Sequence, residues 1–200
     1  MSEQIIMYPE RCRACRRCEV ACIAARHNLS FKDATRRKKE FGPRLTVVKT
    51  DTYKTTVRCH QCNPAPCCNI CPTGALWQED DGIIKMAPEL CIACEMCIDA
   101  CPYGAVHIDT VDLPVAKIED DPMDKELTEP RRIAVRCDLC RDWRRENNKT
   151  CTACMEACPA YAMALQLDDG TLVTPPKPDK KKIAPKPAPK PAAKPAEAGA

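Results

Sequence analysis

The sequence predicts an α+β fold made of two small cysteine-rich modules, followed by a C-terminal tail without regular structure. Three observations lead to this prediction: the cysteine content, the arrangement of the cysteines in four groups of four, and a change of composition near residue 175. The chain has 200 residues, of which 18 are Cys but only two Trp, four Tyr and two Phe. Since so few large rings cannot build a conventional core, something else must fill the interior.

Disulfides and metal centres commonly replace a core at this cysteine density. The first residues, MSEQIIMYPERC, lack an apolar segment with a small-residue cleavage site, and no run of 18 apolar residues occurs. We therefore expect a cytoplasmic protein whose thiols stay reduced. This compartment favours metal centres over disulfides.

The first and third cysteine motifs have the spacing of iron-sulfur ligands. Residues 12–22, CRACRRCEVAC, and residues 91–101, CIACEMCIDAC, both read C-x2-C-x2-C-x3-C. Three thiolates at offsets of three can bind the corners of a cubane iron-sulfur cluster, and the fourth reaches a second cluster. Zinc sites use separated C-x2-C pairs that converge on one ion. A zinc-binding or thiol-based structural or regulatory protein is therefore the alternative from a different class.

Two further motifs complete the set. The second motif, residues 59–72, reads C-x2-C-x4-C-x3-C-P, and the fourth, residues 137–159, reads C-x2-C-x13-C-x3-C-P. The four motifs of four account for 16 of the 18 cysteines.

The two cysteines left over are Cys68 and Cys151. Cys67 keeps the C-x3-C-P spacing to Cys71, which the fourth motif also has from Cys154, whereas Cys68 leaves only two intervening residues. We expect Cys67 and Cys154 to be ligands. Cys68 and Cys151 are expected to be buried as small apolar side chains.

The sequence around the motifs repeats. TTVRCHQC (55–62) resembles IAVRCDLC (133–140), and CPTGAL (71–76) resembles CPYGAV (101–106). We expect a short strand at each V-R-C and a short helix at each C-P-x-G-A. EDDGIIKMAPELC predicts a hairpin with an Asp-Gly turn. The second and third motifs are close enough to form one two-cluster ferredoxin module, which leaves the first and fourth to form the other.

Four regions follow from this organisation. Residues 1–52 form the first part of an outer ferredoxin-like module, and residues 53–110 form the inner module. Residues 111–174 contain an acidic connection, expected to be a surface loop to residue 131, and then the second part of the outer module. Residues 175–200, which are rich in Pro, Ala and Lys, are expected to be a disordered tail.

The four motifs in this order, with a longer gap inside the last, resemble the four-cluster, ferredoxin-type electron-transfer subunits of DMSO reductase and formate hydrogenlyase. ERCRACRRCEVAC at the start and PRLTVVKT before the second motif are most similar to the carbon monoxide dehydrogenase iron-sulfur subunit. The resemblance covers residues 5–165. It implies four [4Fe–4S] clusters, no catalytic residues, and an inner module inserted in an outer one.

The resemblance also implies that the motifs pair crosswise, the first with the fourth and the second with the third. Each cluster then takes three thiolates from one motif and one from its partner. We name the implied ligands as four sets: ligand set 1 is Cys12, Cys15, Cys18 and Cys158; ligand set 2 is Cys22, Cys137, Cys140 and Cys154; ligand set 3 is Cys59, Cys62, Cys67 and Cys101; ligand set 4 is Cys71, Cys91, Cys94 and Cys97.

The function that the resemblance implies is the relay of single electrons in anaerobic metabolism. Electrons would come from a catalytic oxidoreductase, above all carbon monoxide dehydrogenase, and go to a membrane-bound hydrogenase or a similar acceptor. A formate dehydrogenase or hydrogenase complex is the alternative setting. Membrane association would be peripheral, on the inner face and through the partner.

Nucleic acid is not an expected partner. The formal net charge is +3, but four clusters of about −2 each bring the assembled protein to about −5. A protein of net negative charge lacks the basic field that nucleic-acid binding requires.

Overall fold

The computed structural model describes residues 3–116 and 127–176. In these two ranges the chain forms short helices and strands, and the strands make four small antiparallel sheets. The helices are α1 (Arg17–Arg26), α2 (Phe31–Arg36), α3 (Pro66–Asn69), α4 (Met96–Asp99), α5 (Arg141–Glu146) and α6 (Ala153–Glu156). The strands are β1 (Gln4–Met7), β2 (Thr46–Lys49), β3 (Lys54–Val57), β4 (Leu76–Gln78), β5 (Ile84–Met86), β6 (His107–Ala116), β7 (Leu127–Val135), β8 (Met163–Gln166) and β9 (Leu172–Val173).

A three-stranded sheet joins the two ends of the described chain. Its order is β1-β8-β9, with Ile5 opposite Leu165 in the first pair of strands. Next to this sheet, Arg144 Nη1 in α5 lies 2.7 Å from Glu3 Oε2. The residues before the first motif therefore pack on those after the fourth.

The strands predicted at the two V-R-C segments are confirmed. β3 ends directly before Arg58, and β7 ends directly before Arg136, so each strand leads into a cysteine motif. The Asp-Gly hairpin is confirmed as well, because β4 pairs with β5 across a turn in which Gly82 has φ of 78°. The Ile83 N–H donates to Asp81 Oδ1 at 3.0 Å and closes this turn.

The prediction of a helix at each C-P-x-G-A segment is wrong. α3 and α4 end before these segments, and the segments themselves are turns. Gly74 and Gly104 adopt φ of 66° and 58°, a left-handed conformation that glycine takes without strain. Their N–H groups donate to the carbonyl oxygens of Cys71 and Cys101 at 3.3 and 3.2 Å. The glycine therefore ends the helical direction instead of continuing it.

The prediction of a surface loop over residues 111–131 is also wrong where these residues are described. β6 and β7 pair over a long antiparallel ribbon, with a register shift between Pro114 and Ala116. The prolines suggested a loop, but each strand of a two-stranded ribbon has one unpaired edge on which the missing N–H of proline costs nothing. Residues 117–126 lie outside the described residues, as does the predicted tail beyond residue 176.

The main core combines aliphatic side chains with cysteine thiols. Seven ligand-set cysteines and the extra Cys151 are buried in it together with aliphatic residues; the aliphatic members include Ile5, Leu45, Val47, Leu76, Ile83, Ile84, Leu139 and Leu165. A smaller cluster of Val20, Ile23 and Ala34 packs α2 against α1. Thiols therefore occupy core positions that aromatic rings fill in most domains of this size.

The two-module division remains a prediction. The β2–β3 hairpin crosses the expected boundary between residues 52 and 53, and β6 crosses the one between residues 110 and 111. Across the described ranges, no helix has the length and apolar character needed to cross a bilayer.

The β1–β8 pairing provides a stability test. Leu165 is 0% exposed, so Leu165→Ala should lower the free energy of unfolding by about 2–5 kcal/mol through lost burial and a residual cavity. Anaerobic denaturant unfolding of the cluster-loaded protein measures this loss. Leu172→Ala is the control, because Leu172 is 51% exposed and its truncation should change the stability little. Equal losses in both variants would contradict this account of the core.

Candidate metal centres

The four cysteines of ligand set 4 line one small cavity. The third motif supplies three of these thiols, and Cys71 of the second motif supplies the fourth. Most of the remaining wall is apolar and includes Leu76, Met86 and Ile108. The structure therefore brings together cysteines from two motifs in the combination predicted for one cluster.

Ligand set 1 has the same arrangement. Its four cysteines line one small cavity, in which the first motif supplies three thiols and Cys158 the fourth. Met7, Val47 and Met163 form apolar parts of the wall. The two cavities therefore have equivalent positions in the two predicted modules.

Ligand set 2 lies deeper in the protein. Burial raises the pKa of Cys137, and the nearby thiols of the other three members raise it in the same direction. The Arg44 N–H donates to Cys22 Sγ at 3.3 Å, and Thr152 Oγ1 lies 3.2 Å from Cys154 Sγ. A thiol that coordinates a metal is deprotonated outright, so cations at this site would remove the penalty that burial places on these thiolates.

Ligand set 3 is also a group of neighbouring thiols. Burial raises the pKa of Cys59 to about 11, with Cys67 and Cys62 acting in the same direction. Burial likewise raises the pKa of Cys62, and Cys101 and Cys67 add to it. The structure therefore places Cys101, the last cysteine of the third motif, close to thiols of the second motif.

The first C-x2-C segment of each of the four motifs has the same backbone conformation, which the sequence does not reveal. The residue before the second cysteine of each pair is left-handed: Ala14, Gln61, Ala93 and Leu139 have φ of 51°, 50°, 52° and 58°. None is glycine, so each carries strain that the surrounding structure must sustain, as is common at functional sites. Ala, Gln and Leu have no preference for this conformation, and only the shared position in the motif could have revealed it.

Backbone amides point at several sulfur atoms. The Ala105 N–H donates to Cys101 Sγ at 3.3 Å, and the Ala162 N–H donates to Cys158 Sγ at 3.4 Å. Both bonds span four residues after the last cysteine of a motif. Hydrogen bonds to sulfur help to set the potential of iron-sulfur centres, so these turns act on the ligand as well as on the chain direction.

Within each predicted module the two ligand sets are neighbours. Burial raises the pKa of Cys18 to about 12, and Cys154 is the thiol nearby that contributes most to this rise. Burial raises the pKa of Cys97 to about 11, and Cys67 adds to it. Set 1 therefore lies beside set 2, and set 3 beside set 4.

Gln61 connects sets 2 and 3. This side chain is 1% exposed, and its Nε2 donates to the Cys137 carbonyl at 2.8 Å. Its Oε1 accepts from the Ile84 N–H at 2.9 Å. The loop of the second motif is thereby fixed to the start of the fourth. The neighbour relationships give the spatial order set 1, set 2, set 3, set 4.

The exposure of the cysteines distinguishes the two outer sets from the two central sets. Cys15 of set 1 and Cys94 of set 4 are exposed, whereas the cysteines of sets 2 and 3 are buried or half-buried. Only the two outermost sets therefore contain a fully exposed cysteine.

The two extra cysteines differ from each other. Cys151 is 3% exposed, as expected, and the groups that perturb its pKa, burial first, include none of the ligand-set thiols. Cys68 is half-buried instead of buried, because successive residues of a helix point about 100° apart and Cys67 takes the inward position in α3. A hydrogen bond from the Cys68 thiol lowers the pKa of Cys67 to about 6.

The donor geometry fits cubane clusters. Among residues 3–116 and 127–176, no three His, Cys, Asp or Glu side chains converge closely enough to hold a single metal ion. A cubane is bound at its corners, so its four sulfur ligands surround a volume and do not meet at a point. Apolar walls, four thiols and amide donors to sulfur are together the environment that such a cluster requires.

The sequence of this chain is similar to those of known iron-sulfur proteins. Residues 50–119 match the family described as 4Fe-4S dicluster domain. The electron transport protein HydN of Escherichia coli K12 is 37% identical over 163 residues, which cover 82% of this chain and 87% of HydN. An iron-sulfur protein of Rhodospirillum rubrum is 34% identical over 170 residues, which cover 82% and 83% of the two chains. Hydrogenase-4 component A of E. coli K12 is 30% identical over 187 residues, which cover 84% of each.

The motifs and the dicluster match define an iron-sulfur protein, and its cofactors are four [4Fe–4S] clusters. The chain belongs to the family of iron-sulfur electron transport proteins that includes HydN. It is a non-catalytic electron carrier.

The choice between Cys67 and Cys68 can be tested directly. Cys68→Ala should keep the full content of about sixteen iron and sixteen sulfide per chain, whereas Cys67→Ala should lose or convert one cluster. Iron and sulfide analysis of the anaerobically purified variants, with electron paramagnetic resonance to detect a three-iron product, makes the comparison. Loss of iron in Cys68→Ala with full content in Cys67→Ala would reverse the assignment.

Proposed function

We propose that the protein relays single electrons along the four ligand sets in the order set 1, set 2, set 3, set 4, or in reverse. The observation that supports this proposal is the placement of the sets: neighbours follow one another, and only the outermost two contain an exposed cysteine. Each bound cluster takes up and releases one electron at a time.

The residues of the chain would hold, insulate and tune the clusters. With 16 thiolates committed to the four sets, no ligand position stays open for a substrate. The apolar walls of sets 1 and 4 would exclude water, and the amide bonds to Cys101 and Cys158 would stabilise charge on sulfur. These features suit electron transfer, and not a site where covalent bonds are made or broken.

The partners are a catalytic oxidoreductase and an electron acceptor such as a hydrogenase. The similarity to hydrogenase-4 component A supports a hydrogenase as the electron acceptor. For the donor we propose carbon monoxide dehydrogenase, on the resemblance of ERCRACRRCEVAC and PRLTVVKT to its iron-sulfur subunit, with a formate dehydrogenase as the alternative. The proposed location is cytoplasmic, with peripheral membrane association through the acceptor.

Anaerobic purification and reduction test the proposal. We expect a brown protein with about sixteen iron and sixteen sulfide per chain that accepts about four electrons, one per cluster. Reduction by purified carbon monoxide dehydrogenase with carbon monoxide should then be faster than reduction by formate dehydrogenase with formate. The opposite order would identify the alternative donor. A colourless zinc protein would contradict the electron-transfer function itself.

The two exposed ends differ in charge. Arg13 and Arg16 line the cavity of set 1, whereas Ile92 and Glu95 take the same motif positions at set 4. Both arginines are exposed, and Ile92 is 62% exposed. A positive end attracts a partner with an acidic surface and accelerates the encounter in a salt-dependent way. The end at set 1 is therefore proposed to meet an acidic partner surface.

Small redox reagents can probe this difference. In the double variant Arg13→Gln/Arg16→Gln, oxidation of the reduced protein by the anion ferricyanide should become several-fold slower and less dependent on salt. Oxidation by the cation hexaammineruthenium(III) should not become slower. Stopped-flow absorbance measures both rates, and Ile92→Gln/Glu95→Gln is the matched control at the other end. Equal ferricyanide rates in the unaltered protein and the arginine variant would contradict a steering role for this end.

A further inference from the structure

The two arginines of the repeated V-R-C segments are buried. Arg58 and Arg136 are each 4% exposed. Transfer of a cation from water into a protein interior costs several kcal/mol unless partners compensate it. Two such residues at equivalent positions of a repeat therefore require anionic partners.

The described protein groups do not supply those partners. Within residues 3–116 and 127–176, neither guanidinium has a carboxylate within 4.0 Å. Arg58 donates to the carbonyl oxygens of Thr56 and Ile5 and to the Thr56 hydroxyl, but its Nε has no partner in these ranges. Nε and Nη2 of Arg136 are both without a partner there. Three buried donors are therefore available to a further acceptor.

Each arginine acts electrostatically on thiols of the opposite predicted module. The Arg58 guanidinium also reaches that module directly, through its hydrogen bond to the Ile5 carbonyl in β1. Arg58 follows the strand that leads into the second motif, yet its strongest thiol neighbours are Cys137 and Cys154 of ligand set 2. Arg136 follows the strand that leads into the fourth motif, yet it acts on Cys59 and Cys67 of ligand set 3. Each arginine therefore acts on the central ligand set of the opposite module, and Arg58 also acts on the adjacent Cys59.

We propose that Arg58 raises the reduction potential of the cluster in set 2 and that Arg136 raises that of the cluster in set 3. The proposal rests on the four-cluster relay proposed above and deepens it by assigning residues that tune its two central steps. Reduction adds one negative charge to a cluster, and a fixed cation in a poorly solvated interior favours the reduced state. Exposed arginines change the reduction potential of a cluster less, because solvent and salt screen their charge.

Redox titration of the loaded, full-length protein tests the crossed assignment. In Arg58→Gln the set 2 midpoint should fall so that its reduction equilibrium changes at least tenfold, or about 59 mV for one electron, while the other three midpoints stay in place. Arg136→Gln should do the same to the set 3 midpoint. Arg58→Lys and Arg136→Lys keep the charge and should restore most of each shift. Electron paramagnetic resonance at controlled potentials resolves the four centres.

Two ligand variants assign the signals. Cys154→Ala should remove or convert the set 2 centre, and Cys67→Ala the set 3 centre, so the altered signal identifies each set. Arg145→Gln is the matched control, because the Arg145 side chain is 76% exposed and its removal should leave all four midpoints in place.

Several results would overturn the proposal. Unchanged midpoints in both Gln variants would do so, as would an uncrossed pattern in which Arg58→Gln moves the set 3 centre. Shifts of equal size in the Gln and Lys variants would assign the effect to packing and not to charge. Where a Gln variant does not take up iron, the neutral Met variant replaces it: a midpoint lowered by at least about 59 mV supports the charge effect, and an unchanged midpoint rejects it. Full iron content with four one-electron midpoints, but no arginine effect, would reject this inference alone and leave the relay function intact.

Discussion

The structure depends on one constraint, which is that four thiols must surround a bulky group without meeting at a point. The left-handed residue before the second cysteine of each motif bends the backbone at equivalent positions around each ligand set. The short helices and two-stranded sheets then serve mainly to fix the ends of these loops. Because thiols occupy core positions, metal uptake and folding are coupled, and much of the interior becomes complete only when the ligands are engaged.

The crossed arrangement of cysteines also ties together distant parts of the chain. Cys158 lines a cavity with the first motif, and Cys22 lies beside thiols of the fourth. The entropic cost of closing such a long loop grows only slowly with its length. A cluster that bridges both ends can therefore repay this cost, as can the β1–β8 pairing, which brings together the same two regions. Gln61 likewise links the second motif to the fourth, through a single buried side chain.

Cysteine spacing predicted the four motifs because ligand chemistry restricts the offsets within a motif. The crosswise ligand sets came from the family resemblance. The choice of Cys67 over Cys68 agrees with the orientation of α3, since only Cys67 is turned inward. The helix expected at C-P-x-G-A failed because the glycine conformation, and not the proline, decides the local chain direction. Residues 111–116 and 127–131 were expected in a loop because of their prolines, but the ribbon leaves an edge where proline fits. Neither the burial of Arg58 nor that of Arg136 could be read from the sequence, since an arginine beside a cysteine motif looks the same whether its side chain points in or out.

Arginine at the surface and arginine in the interior act on different quantities. Around set 1, Arg13 and Arg16 face solvent, where salt screens a charge beyond about 8–10 Å, so they influence how a partner approaches more than the energy of a bound electron. Arg58 and Arg136 are shielded from solvent, so their fields reach the neighbouring thiols with little screening and bear on the stability of an added electron. The formal net charge of +3 cannot distinguish these effects, because it counts every arginine alike. In the proposed relay, the exposed arginines at set 1 would act on the encounter with a partner, and the buried Arg58 and Arg136 would act on the electron held by the central clusters.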